Sequence, residues 1–378
     1  MIQGGAGTTT NMNANEVIAN RALQLMGHEA GEYQYCSPND HVNCSQSTND
    51  AYPCGIHLGL YATHLVFMKH YDALIESFAK KAKEFANILK MGRTQLEDAV
   101  PMTLGQTFGA FAQILREEKK NLEFAAEEFL TVNMGATAIG TGICSEPEYS
   151  EKCIAALRQI TGWDIKLAED LVAATSDTSC MVGYSSALRR VAVKLNKICN
   201  DLRLLGSGPR CGLHEFDLPA RQPGSSIMPG KVNPVIPEVM NQICYKVIGN
   251  DACVAMCGQE AQMELNAMEP TMAQCCFESA EIMMNGFDTL RVNCVDGIKA
   301  NEEQCLKYVQ DSFGVVTALN PVIGYKNSTK IAKEAMATGR RVYDLVLEHG
   351  ILTKDELDII LSPENLIKPV KLDIKPRR

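Results

Sequence analysis

Residues 55–89 read GIHLGLYATHLVFMKHYDALIESFAKKAKEFANIL, and the spacing of their apolar side chains decides the fold class. Phe67, Tyr71, Leu74, Ile75, Phe78, Ala82, Phe85 and Leu89 recur at steps of three and four, the period of one helix face. The pattern predicts a single helix of roughly nine turns.

Four more long helices follow from the same period: Pro101 to about Leu130, Asp177 to Leu205, Pro237 to about Leu265, and Thr271 to about Lys299. Pro101 suits a first helical turn, and Asp177 can cap the helix behind it. Helices this long exceed the usual three or four turns, so they must bury their stripes on one another. The expectation is an all-α fold with a long five-helix central bundle. Val239–Met256 is apolar on more than one face, which predicts burial in an oligomer as well as in the subunit. A monomeric bundle with a larger core is the alternative.

Shorter elements come last: Val315–Met336 broken at Asn320-Pro321, then Arg341–His349 and Lys354–Leu361. They predict a small helical C-terminal domain. The expected organisation is loops and the start of the central domain over 1–54, the bundle over 55–310, and the small domain over 311–378. Within the bundle region two irregular stretches stand out, Asn133–Pro147 and Gly206–Pro234. Connections as long as the second are usually functional or disordered. The opening MIQGGAGTTTNMN reads as a glycine-rich loop, and predicts that a preceding domain is missing.

The 378 residues are 46% apolar and 21% charged, ordinary for a soluble globular protein. A net charge of −9 argues against nucleic acid or an anionic membrane as partner, and leaves a small anionic substrate open. Fifteen cysteines lie scattered, with no CxxC pair and no zinc spacing, so reduced thiols in a cytoplasmic protein are expected. The chain has no signal peptide and no run of eighteen apolar residues. Its seven histidines form no HExxH or similar pair, so no metal site is predicted.

The sharpest chemical signal is GSSIMPGKVNP, residues 224–234. Two hydroxyls stand beside a lysine and an asparagine, and glycines let backbone N–H groups face a ligand. Such a loop can hold a carboxylate and stabilise negative charge developing on it.

This loop resembles the signature loop of the aspartase/fumarase superfamily. Three further blocks agree in order: GAGTTTNMN at 5–13, NDHVNCSQSTND at 39–50, and GRTQ at 92–95 with DAVP at 98–101 and LGQ at 104–106. The resemblance runs from Gln3 to about Pro369. It implies a central five-helix bundle that associates into a twenty-helix homotetramer core, with each active site built by three subunits. It also implies a lyase that eliminates ammonia from L-aspartate to give fumarate. Ser225 matches the base that takes the Cβ proton, through an aci-carboxylate intermediate, and Lys231 assists it. Thr8, Ser47, Thr48 and Ser226 match the contacts to the β-carboxylate, Lys231 and Asn233 those to the α-carboxylate. Asn49, Thr94 and Gln95 match the surroundings of the amino group.

Gln95 stands where the family's hydratases carry a histidine paired with a glutamate, here Glu238. An ammonium group leaves as neutral ammonia without a strong acid, so Gln95 favours the ammonia-lyase branch. A fumarate hydratase and a non-catalytic helical scaffold or incomplete chain remain the alternatives. No cofactor is required. Magnesium is expected only as an activator, with no ligands visible in the sequence.

Overall fold

A computed structural model describes residues 2–372 and Ile374. Helices dominate: α1 (Thr8–Leu25), α2 (Thr48–Glu84), α3 (Leu104–Arg116), α4 (Lys119–Glu127), α5 (Tyr149–Thr161), α6 (Leu171–Ser176) and α7 (Ser179–Leu205). They continue with α8 (Val235–Gln259), α9 (Glu269–Asn293), α10 (Glu302–Asp311), α11 (Val316–Thr338), α12 (Val342–Glu348), α13 (Lys354–Ile360) and α14 (Pro363–Leu366). One hairpin of β1 (Leu89–Thr94) and β2 (Glu97–Thr103) is the largest sheet among the described residues. The all-α, helical-bundle class holds.

The chain forms two compact units. The first runs to Asp72 and adds Leu115–Asn196 and Val239–Phe287; the second holds Ala73–Ile114, Lys197–Glu238 and the residues from Asp288 on. In the first, Phe67 and Tyr71 meet Phe287 at centroid distances of 5.2 and 5.4 Å, and the Tyr71 hydroxyl donates to the Leu115 carbonyl at 2.7 Å. In the second, Phe85 and Phe216 both pack on Phe108, at 5.3 and 5.9 Å. Phe67, Tyr71, Leu74, Ile75, Phe78 and Phe85 of the predicted stripe are all buried. Each such side chain contributes about 1.5–3 kcal/mol on leaving water.

Two expectations need correction. The opening stretch is not all loop: α1 starts at Thr8, directly after Gly7 at φ +92°. Its buried face is Asn11, Asn15, Ala19 and Leu23, a four-residue repeat that is half amide, so apolar periodicity does not see it. The predicted helix from Pro101 to Leu130 is four elements: the end of β2, then α3, α4 and a 3-10 turn over Glu128–Leu130. Pro101 lies in β2 opposite Met91, at a point where the register shifts before Arg93. The helix that does form breaks between α3 and α4 at Glu118, which is 2% exposed and ion-paired with Arg190 and Lys194.

The other long helices form where predicted, but only α7 ends at its predicted residue, Leu205; α2 stops at Glu84, α8 at Gln259 and α9 at Asn293, each five or six residues early. Asp177 accepts from the Ser179 N–H at 3.0 Å at the head of α7. In the last segment, α11 bends at Gly324 (φ +78°), just after the predicted break at Asn320-Pro321. Val316, Leu319, Ile331, Leu345, Val346, Leu357 and Ile360 form its own core.

Candidate active site

Gly7 has no room for a side chain: a Cβ there would lie 2.3 Å from the Tyr52 ring. Helix α1 can therefore start close against α2, and Thr8 stands at its exposed tip with its hydroxyl donating to the Gly5 carbonyl at 2.7 Å. One turn on, the Asn11 amide donates to Asn43 Oδ1 and Thr48 Oγ1, both at 3.2 Å, and Asn15 donates to the same Asn43 oxygen at 2.9 Å. Amides thus fasten Thr48 beside α1.

Ser47, Thr48 and Asn49 form the N-terminus of α2, where the helix dipole favours an anion. Ser47 Oγ accepts the Asn49 N–H at 3.2 Å, and Asp50 Oδ1 accepts the Ser47 N–H at 2.9 Å. The Asn49 side chain donates to the Ala138 carbonyl at 2.8 Å, which fixes the amide and leaves its oxygen to accept from another group. Behind these residues lies the loop 133–142. Its Gly135 and Thr137 N–H groups donate to Asp50 Oδ2 at 3.1 and 2.9 Å. Burial pushes the Asp50 carboxyl above its ordinary value, against the backbone N–H groups that pull it down.

In the second unit, Thr94 closes β1 and Gln95 forms the hairpin tip. Gln95 (φ +55°) and Leu96 (φ +68°) are both left-handed, as a two-residue hairpin turn requires. Neither is glycine or asparagine, so the turn is strained, and such strain tends to mark functional sites. The hairpin is held from behind by Glu215, which is fully buried and takes both Lys90 (2.8 Å) and Arg93 as ion partners. The Arg93 guanidinium also lies over the Tyr308 ring, 5.1 Å from its centroid. Removing one partner from a buried group of this kind costs about 3–5 kcal/mol.

The loop of the signature motif folds on itself. Ser225 Oγ accepts the N–H groups of Ile227 and Met228, each at 3.2 Å. The Lys231 N–H donates to the Met228 carbonyl at 3.3 Å, and Gly230 turns the chain at φ +79°. Ser226 and Lys231 are exposed, Asn233 half-buried. The Asn233 carbonyl accepts the Val235 N–H at 2.9 Å where α8 begins. Glu238 sits in the first turn of α8, its N–H bonded to the Pro234 carbonyl at 3.2 Å.

This geometry has counterparts in known proteins. A family model described as "Lyase" matches residues 1–249, and one described as "Fumarase C C-terminus" matches residues 315–368. The chain belongs to the aspartase/fumarase lyase family. It is 56% identical over 376 residues to the aspartate ammonia-lyase of Pseudomonas canavaninivorans, covering 99% of this chain and 79% of that one. The corresponding protein of Escherichia coli K12 is 55% identical over 367 residues, covering 97% and 77%. Among solved structures, a fumarate lyase:delta crystallin from Brucella melitensis bound to cobalt superposes with a TM-score of 0.94 at 51% identity, over 97% of this chain and 80% of that one. A class II fumarase from Schistosoma mansoni gives 0.90 at 33% identity, over 96% and 79%.

The family's helical bundle therefore carries the predicted site residues in two groups. Thr8, Ser47, Thr48 and Asn49 lie in the first unit, with Thr48 directly bonded to α1. Thr94, Gln95, Ser225, Ser226, Lys231 and Asn233 lie in the second. Sequence reasoning gave no role to Asn11, Asn43, Asp50 or the loop 133–142. Asn11, Asn43 and Asp50 stand inside the motif blocks, so the signal was present; the loop showed only as an irregular glycine-rich stretch. Among the described residues no three His, Cys, Asp or Glu side chains form a group fit to hold a metal ion.

Proposed function

We propose that this lyase eliminates ammonia from L-aspartate, releasing fumarate, with Ser225 as the base. The observation that carries the mechanism is the pair of backbone N–H groups, from Ile227 and Met228, that already point at Ser225 Oγ. A serine hydroxyl is a poor base. Preorganised donors at its oxygen stabilise the alkoxide that must form, in the manner of an oxyanion hole. Lys231, in the same tight loop, adds positive charge to that region.

Removing the Cβ proton places negative charge on the neighbouring carboxylate. Thr8, Ser47, Thr48 and Ser226 supply hydroxyls for it, and the N-terminus of α2 supplies a dipole. Lys231 and Asn233 hold the α-carboxylate; Asn49, Thr94 and Gln95 surround the amino group. Ammonia leaves neutral, so an amide at position 95 suffices where departing hydroxide would need an acid. The 54–56% identity to proteins named aspartate ammonia-lyase supports this substrate over malate.

The active form is a homotetramer with sites shared by three subunits. In keeping with this, Leu65, Val66, Val193, Tyr245 and Met256 on the long helices are 40–64% exposed, apolar side chains that a partner subunit would cover. Fifteen free thiols fit a reducing, cytoplasmic setting. No cofactor enters the chemistry, and magnesium serves at most as an activator. The test is ultraviolet detection of fumarate formed from L-aspartate and from L-malate, side by side. Activity on aspartate alone supports the reading; activity on malate alone makes the chain a hydratase.

A further inference from the structure

Asp50 is fully buried, yet every hydrogen bond it accepts among the described residues comes from a neutral backbone N–H. An anionic carboxylate without a cation is an expensive group to bury. Part of its work is helix capping: Ser47 Oγ accepts the Asn49 N–H, and Asp50 Oδ1 accepts the Ser47 N–H in return. What Asp50 adds is a joint. One carboxylate oxygen takes Ser47, and the other takes Gly135 and Thr137, eighty-five and eighty-seven residues further along the chain.

The far side of that joint is rigid. A Cβ on Gly135 would lie 1.9 Å from Ser150 Oγ, and one on Gly140 would lie 2.4 Å from the Val172 backbone. The loop is thus pressed onto the segments that begin α5 and α6. Two side-chain amides run parallel to the carboxylate: Asn49 to the Ala138 carbonyl at 2.8 Å, and Asn133 to the Asn49 carbonyl at 3.0 Å. Thr137 also holds a left-handed backbone (φ +58°), while its buried hydroxyl has no partner among the described residues. A β-branched residue there is strained and persists only where its surroundings over-determine it.

We propose that Asp50 is a positioning residue, clamping Ser47, Thr48 and Asn49 onto the loop of Gly135 and Thr137 and so fixing the angle at which they meet the substrate. This rests on the ammonia-lyase reading for the substrate, but not for the clamp. Asparagine at position 50 can satisfy Ser47 or the loop, not both, since one of its two atoms becomes a donor.

The experiment uses the full chain and the variants Asp50→Asn, Asn49→Ala and the double variant. Asp50→Asn is expected to lower kcat/KM for L-aspartate by about tenfold or more, with unchanged helicity. In the Asn49→Ala background, where the parallel amide link is gone, the same change should cost at least about threefold more than in the parent. Equal losses in both backgrounds would reduce Asp50 to a structural residue and overturn the proposal. Should Asp50→Asn not fold, Asp50→Glu keeps the charge, displaces it by one methylene, and answers the same question. Amide hydrogen exchange of Gly135 and Thr137 reads the clamp with no substrate present. Faster exchange at both in Asp50→Asn supports it, and retained protection overturns it. Exchange thus tests the clamp independently of the aspartate turnover that tests the function.

Discussion

Gly224 and Lys231 close the signature loop like a clasp: a Cβ on Gly224 would sit 1.1 Å from the Lys231 carbonyl oxygen. No side chain fits there, and the obstacle is backbone, which cannot rotate aside. Gly224→Ala must open the loop between the two residues while leaving the helices untouched. The expected outcome is a fall of about a hundredfold or more in kcat/KM, with unchanged helical circular dichroism. Near-normal turnover would show that the closed loop is not the working conformation.

Ser225→Ala removes the oxygen on which the Ile227 and Met228 N–H groups converge. Turnover of L-aspartate should be lost, because no neighbouring group replaces the base. Substrate binding should survive, since Thr48, Asn49, Lys231 and Asn233 remain. Equilibrium binding of L-aspartate alongside steady-state kinetics separates the two effects. Residual turnover within about tenfold of the parent chain would remove Ser225 from the role of base.

The hairpin tip gives a prediction of opposite sign. Leu96 holds φ +68° with its side chain 73% exposed, so it bears left-handed strain with little packing in return. Such strain costs about 1–2 kcal/mol in an L-residue and almost nothing in glycine. Leu96→Gly should gain about 1 kcal/mol in urea unfolding, after the added chain entropy is counted. A loss of stability instead would mean that Leu96 packs against another copy of the chain.

How much of this could be read beforehand depends on the physics of each feature. The stripe from Phe67 to Phe85 was legible because burial of large apolar groups leaves a period in the sequence. The α1 helix was not, because Asn11 and Asn15 bury amides whose partners, Asn43 and Thr48, lie 28 to 37 residues away. The hairpin escaped for a related reason: Gln95-Leu96 carries none of the usual Asn-Gly chemistry for a left-handed pair. Of the site, Ser225 was legible as part of an eleven-residue motif. Glu215, 122 residues from Arg93 in the chain, had no local mark at all.

Glu269 gives the last prediction. It begins α9, where a carboxylate normally gains about 0.3–2 kcal/mol from the helix dipole. Here the side chain is only 3% exposed, and burial outweighs the dipole, pushing the carboxyl from 4.5 up to about 8. Between those two values the folded chain binds a proton that the unfolded chain has released. Stability from this group is therefore fully present below pH 4.5 and is lost as pH rises through about 8. Glu269→Gln keeps the shape and removes the titration. Urea unfolding of the parent across that window should show stability falling with pH, and the variant should flatten the fall. The variant should match the parent best at the acid end, where Glu269 is protonated in both states, and exceed it at the alkaline end. A parent curve with no such fall, or a variant that steepens it, would show that Glu269 has a partner that keeps it ionised.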